Sequence, residues 1–281
     1  MHVQARRLAD ALMPAVGRLP AVLTAAKERT LKPGDRFQEC WSCPEMVVVP
    51  AGEFMMGSTL GRADEQPVHK VAIAAPLAVG RFEVTFDEWD GCIVHGGCPA
   101  QNIVGAKFGR GRQPVINVSW DDAQTYVKWL SKRTGKTYRL LTEAEWEYAA
   151  RAANNSEYSF GNSEAALSQH AWFRDNSDSQ PHAVGGKKPN AFVLYDMHGN
   201  VWEWVEDCYV NTYAGAPTDG SARSSSPCDF RVLRGGTWNS VPEDLRSANR
   251  DYIGPTDRGD FFGFRVMRVL PSELRPAEAR R

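Results

Sequence analysis

Apolar and polar positions change their rhythm along the chain. Met46-Val47-Val48-Val49 is a continuous apolar run, Pro50 and Gly52 interrupt it, and Phe54-Met55-Met56-Gly57 resumes it, a pattern that predicts a hairpin early in a sheet. Val68–Ile73 alternates toward another strand and Leu77–Val84 toward a third. Three helical segments follow, each with an opening signal. Thr85-Phe86-Asp87-Glu88 has the spacing of a capping box and leads into Trp89. Ser119-Trp120-Asp121-Asp122 opens a longer helix in which Ala123, Tyr126, Val127 and Leu130 share one face, with Gly135 as its C-terminal cap. Thr142-Glu143-Ala144-Glu145 opens the third, burying Trp146, Ala149 and Ala150. Residues 153–188 and Gly215–Pro227 lack a period and read as loops, while Arg231–Trp238 and Gly263–Arg268 read as strands that return to the core.

Residues 1–39 therefore read as an N-terminal extension or linker, 40–270 as one domain and 271–281 as a solvated tail. The net charge of −1 in 281 residues argues against a nucleic-acid footprint or a polybasic membrane patch. No apolar run approaches the roughly 20 residues of a membrane span. Nine Trp and 24 Gly point to a loop-rich fold that packs indoles between irregular segments. The six cysteines fall locally as Cys40/Cys43, Cys92/Cys98 and Cys208/Cys228. Their even count favours disulfides and an oxidising compartment, periplasmic or secreted, although spacing alone does not define connectivity. Met1–Leu23 has no continuous apolar segment of the kind a secretion signal needs. Cys40-Trp41-Ser42-Cys43 also has the spacing of a zinc half-site or a redox pair, but no second Cys-x-x-Cys completes a four-thiolate zinc site.

Candidate chemistry concentrates in Pro189–Asp207. Asp196 and Glu203 bracket a turn centred on Gly199-Asn200, either of which tolerates φ > 0. Such a turn can aim several carbonyls at one point between two carboxylates, which suits a hard, oxygen-seeking cation such as Ca²⁺. Phe192, Leu194, Tyr195, Trp202 and Trp204 would anchor its flanks.

Six separated stretches then agree. They are Val49-Pro50-Ala51-Gly52-x-Phe54-x-Met56-Gly57-Ser58, Val115-x-Asn117-Val118-Ser119-Trp120, Leu140–Arg151, Asn190–Trp204, Leu233-Arg234-Gly235-Gly236-Thr237-Trp238 and Gly263-Phe264-Arg265. In this order they resemble the formylglycine-generating enzyme (sulfatase-modifying factor) family, with its ergothioneine-synthesis and pyoverdine-maturation relatives, across residues 44–269. The resemblance implies an α/β single domain of the C-type-lectin-like kind, rich in irregular loops. It implies calcium held by the side chains of Asp196 and Glu203 and the carbonyls of Gly199 and Val201. A second calcium site of some members falls at Trp172–Asp178, where Trp172 replaces the family's ligand Asn. In the oxidising members two cysteines bind copper in the C-terminal loop. Those positions are Ser240 and Leu245 here, and neither supplies the soft thiolate that Cu(I) requires. Copper-dependent formylglycine formation is therefore not expected, and the catalytic residues stay unassigned. Iron held by dispersed histidines remains open, although no His-x-x-x-His occurs.

Asn239–Phe262 mixes charged, aromatic and small residues without core periodicity. It is similar to the variable surface of retroelement-diversified lectin-like proteins, and implies a groove of Trp238, Asn239, Ser240, Asp251, Tyr252, Ile253, Arg258, Asp260 and Phe261. The expected partner is a peptide, a protein or a small molecule. Three readings are carried forward: a calcium-stabilised ligand-binding domain without the copper centre, an oxidoreductase or maturation enzyme that modifies a peptide or peptide-derived metabolite through another centre, and a retroelement-diversified lectin-like ligand-binding protein.

Overall fold

The structure, a computed structural model, describes residues 20–100 and 107–271. The expected extension before residue 20 and the tail beyond residue 271 lie outside the described residues. Strand β2 (Met46–Val49) is buried at every position, which its unbroken apolar run requires of a central strand. It pairs antiparallel with β1 (Arg36–Phe37) on one side and with β5 (Leu77–Gly80) on the other. The predicted hairpin does not form. Pro50 lacks the N–H that would extend β2, and β3 (Gly52–Met56) instead pairs with β4 (His69–Ile73), Gly52 opposite Ile73. Strand β5 stops at Gly80 rather than running to Val84, which leaves Glu83 in irregular chain.

Two larger sheets result. The five-stranded one has the order β1-β2-β5-β11-β6, with β6 at Tyr138–Leu140 and β11 at Val266–Arg268. The four-stranded one is β10-β7-β8-β9, from Phe262–Phe264, Trp202–Cys208, Arg231–Arg234 and Arg250–Ile253. Strands β10 and β11 belong to different sheets and are separated only by Arg265, so that residue lies where the chain crosses between them.

Of the helices, α1 (Ala25–Glu28) is a single turn, and α2 (Phe86–Val94), α3 (Trp120–Thr134) and α4 (Glu143–Arg151) are the three expected ones. Each of these three has a complete capping box, and Gly135 closes α3 at φ 67°. Trp89 of α2 stacks on Tyr126 of α3 at 5.8 Å, and Tyr126 meets Phe264 of β10 edge-on at 5.4 Å, which ties both helices to the four-stranded sheet. Truncating such a buried aromatic costs about 3–5 kcal/mol. Residues upstream of Cys40 also pack on the fold, because Glu28 and Glu39 both pair with the buried Arg268 of β11. The cysteines close as Cys40–Cys43, Cys92–Cys98 and Cys208–Cys228.

Candidate functional site

The loop between α4 and β7 is shaped by its own polar residues. Asn190 Oδ1 accepts from the backbone N–H groups of Phe192 and Leu194, while its Nδ2 donates to the carbonyl of Ala149 at 2.7 Å. Val193, Asp196, Gly199 and Asn200 then adopt left-handed φ of 62°, 56°, 77° and 63°. Both members of the Gly199-Asn200 pair therefore take the conformation that the sequence permits. A Cβ at Gly199 would lie 2.0 Å from the carbonyl oxygen of Trp172, so only glycine fits there.

This path buries three carboxylates around one guanidinium. Glu203 accepts from Arg265 Nε at 3.1 and 3.0 Å and from Nη2 at 2.7 Å, and its Oε2 also accepts from Trp146 Nε1 at 2.7 Å. Glu83, which sequence reasoning missed, accepts from Asn200 Nδ2 at 2.6 Å and from the Val201 N–H at 3.1 Å. Its signal was an acid between Phe82 and Val84, an unusual place for an unneeded charge. Asp196 Oδ2 accepts from the Gly185 N–H at 2.7 Å, whereas its Oδ1 is buried without a partner.

The electrostatics follow from that crowding. Burial pushes the Asp196 carboxyl up to about 6, a rise that the Gly185 N–H and Arg265 oppose and Glu203 assists. Burial pushes Glu83 well above the carboxylate range, and the charges of Asp196 and Glu203 add to it. A bound cation would relieve both, and an orphaned buried carboxylate oxygen is the group such an ion satisfies. Glu203, however, commits both oxygens to Arg265 and Trp146, and among the described residues no three His, Cys, Asp or Glu side chains converge in metal-holding geometry. Asp196 is thus the member of the expected ligand set that keeps one carboxylate oxygen without a protein partner. At Trp172, where the family resemblance implies a second calcium site, the indole stacks on His182 at 3.8 Å and takes Lys187 Nζ 3.7 Å over its ring, an aromatic face with a protein cation already on it.

The C-terminal loop does not gather the expected groove residues on one surface: Trp238 and Ser240 are buried, and the more exposed members fall in two places. Trp238 stacks on Phe261 at 4.9 Å and donates from Nε1 to the Asp260 carbonyl at 3.2 Å. Asn239 is exposed beside them, and Arg174 donates from Nε to its carbonyl at 3.2 Å. Phe108 and Lys107 border this surface, Lys107 pairing with Asp260 at 3.5 Å. Tyr252 is elsewhere. The strand register sets it opposite Val232, six residues before Trp238, and it stacks on Tyr209 at 3.8 Å with Phe230 edge-on at 5.3 Å. Asp251 accepts from the Tyr252 N–H, Ile253 packs partly into the main core, and Arg258 pairs with Asp122 of α3.

Ser240 and Leu245 are both interior. Ser240 Oγ accepts from the Thr237 N–H at 3.1 Å, and Leu245 is fully buried with Tyr158, Leu167, Ala171 and Phe173. His198 reaches Leu245 from the carboxylate-bearing loop. Its Nδ1 lies 2.7 Å from the Leu245 carbonyl and its Nε2 3.0 Å from Ser159 Oγ. Burial lowers its pKa to about 4, so the ring is neutral at physiological pH.

Residues 32–270 match the family described as the sulfatase-modifying factor enzyme 1-like domain. PvdO from Pseudomonas aeruginosa is 42% identical, with a TM-score of 0.79 over 86% of this chain and 100% of that one. Treponema denticola variable protein 1 is 26% identical, with a TM-score of 0.72 over 84% of this chain and 99% of that one. Serine/threonine-protein kinase pkn1 of Chlamydia pneumoniae is 32% identical over 80% of this chain, but the chain spans only 38% of that longer protein.

Proposed function

The chain belongs to the sulfatase-modifying factor enzyme 1-like family, and we propose that it serves there as a calcium-stabilised, disulfide-containing domain that binds a peptide or other ligand. The observation that carries this reading is the state of Ser240 and Leu245. One is a hydroxyl held inside a turn and the other an alkyl chain in a packed cluster, so the loop offers no thiolate to copper. All six cysteines are engaged in disulfides.

Calcium in this reading is held by Asp196 and the carbonyls of Gly199 and Val201, with Glu203 balancing the ion against Arg265. The partnerless Asp196 Oδ1 and the surplus of buried acids support it. The ligand lies on the Trp238–Phe261 surface, with Asn239 and Asp260 supplying polar contacts; Tyr252, Tyr209 and Phe230 form a second aromatic surface. The neutral, hydrogen-bonded His198 beside Leu245 favours one further reading, modification of a peptide or peptide-derived metabolite through a centre other than copper and cysteine.

Elemental analysis of protein purified without chelator separates the two. About one calcium per chain and no redox metal supports the binding domain, whereas stoichiometric iron or copper overturns it. Binding to a peptide array then tests the surface. Phe261→Ala or Tyr252→Ala should weaken the best peptide by about 1–3 kcal/mol according to which surface is used. Unchanged affinity in both variants rejects both surfaces.

A further inference from the structure

The Cys-x-x-Cys turn has no role in either reading, yet it is built differently from the other two disulfides. Cys40 and Cys43 are three residues apart, so their bridge closes a minimal ring and constrains the unfolded chain least of the three. Hydrogen bonds hold the turn independently of the bridge. The Cys43 N–H donates to the Cys40 carbonyl at 3.0 Å, and Gln38 Nε2 donates to the Cys43 carbonyl at 2.8 Å. Ser42 is seated against α2, where a Cβ at Gly91 would come within 2.2 Å of the Ser42 Cβ. Opening the bridge therefore leaves its frame in place.

The two sulfurs are also unequal. Cys43 is fully buried in the main core, whereas Cys40 is half-exposed. Ser42 Oγ lies 3.7 Å from Cys40 Sγ, and since a bridged sulfur carries no proton the hydroxyl is the donor. The same hydroxyl can stabilise a thiolate on Cys40. Between the cysteines, Trp41 projects 67% exposed, an unexplained position for the largest apolar side chain.

We propose that Cys40–Cys43 is a thiol–disulfide exchange site that accepts two electrons from a protein dithiol docking over Trp41. A thiolate of the dithiol attacks Cys40 Sγ, the Cys40–Cys43 bond breaks, and Cys43 leaves as a thiolate that takes up a proton. The second thiolate of the partner then attacks its own sulfur in the mixed disulfide and releases Cys40, which is protonated in turn. The partner departs as a disulfide, oxidised by two electrons, and the chain holds two thiols.

Exposure alone does not single out this pair, because Cys208–Cys228 is also half-exposed through Cys228. That makes it the internal control. The full chain is titrated with dithiothreitol, quenched with iodoacetamide and mapped by peptide mass. Cys40 and Cys43 should become alkylated at about tenfold lower dithiothreitol than the other four cysteines, with the far-UV circular dichroism unchanged. Supplied with dithiothreitol and glutathione disulfide, the chain should turn over repeatedly. Cys43→Ser should trap glutathione on Cys40, and Cys40→Ser should abolish turnover. Should Cys40→Ser fail to fold, Trp41→Ala serves instead: with a reduced Cys-x-x-Cys protein such as thioredoxin in place of dithiothreitol, exchange should slow severalfold while the thermal midpoint stays constant. Reduction of Cys40–Cys43 and Cys208–Cys228 at the same dithiothreitol concentration, or selective reduction without turnover, overturns the proposal.

Discussion

Two buried charge clusters meet α4, one through Glu143 and Glu147 and the other through Trp146, and they are balanced differently. In one, Glu143, Glu147 and Asp207 face Arg151, Arg234 and Arg250, three acids against three bases. Arg234 donates to Glu147 at 2.5 Å, and Arg250 holds Glu143 through two contacts of 2.8 and 2.7 Å. In the other, formed by Glu83, Asp196 and Glu203, among the described residues only Glu203 has a direct guanidinium partner, Arg265, while Arg112 and Lys187 act on Asp196 from farther away. The first cluster is complete and fastens α4 to β8 and β9. The second is deficient by positive charge, and a deficit inside a fold marks the place where a ligand from outside can be part of the structure.

Breaking the balanced cluster should have the largest effect. Arg234→Met leaves Glu147 and Glu143 with less compensation and should cost about 3–5 kcal/mol in urea denaturation. The loss should be the same in calcium and in chelator, and a calcium-dependent loss would erase the distinction between the clusters. The deficient cluster should behave in the opposite way. Calcium at about 100 times its Kd should stabilise the wild type by about 2.7 kcal/mol, and Asp196→Asn should remove that gain. In chelator the same variant should be neutral or more stable, because it deletes one of the surplus acids. Equal destabilisation in both buffers would sink the calcium assignment.

A smaller effect sharpens the balanced side. Burial, and then the charge of Glu143, pushes Asp207 up to about 7, against two N–H donors that favour its ionised form. From the ordinary Asp range near pH 4 up to about pH 7, the folded chain holds a proton that the unfolded chain has released. Its contribution to stability is thus full below pH 4 and is lost as pH rises to about 7. The slope difference between wild type and Asp207→Asn should approach about 1.4 kcal/mol per pH unit within that window. A variant with an unchanged slope would place the proton elsewhere.

Much of this was legible before any coordinates. The capping boxes at Thr85, Ser119 and Thr142 are local hydrogen-bond patterns, and all three formed. The turn at Gly199-Asn200 was legible for the same reason, since left-handed backbone is a property of residue type. The hairpin at 46–57 was misread because strand pairing is a long-range choice: β2 and β3 are adjacent in sequence, yet each found a better partner some 20 or 30 residues away. The groove was misread for a related reason. Trp238 and Tyr252 are 14 residues apart, but Tyr252 lies opposite Val232 near the start of β8, whereas Trp238 lies four residues past the end of that strand.

By itself, then, the sequence determined the helices, their caps, the left-handed loop, the paired cysteines and the family, all of which depend on neighbouring residues or on motif order. Only the tertiary structure decided which acids share a guanidinium. Glu83, Asp196, Glu203 and Arg265 are spread over 183 residues and meet because the chain crosses between its two larger sheets at Arg265. Charge in a protein interior is compensated through space, at distances of a few ångströms, and sequence separation carries no record of those distances.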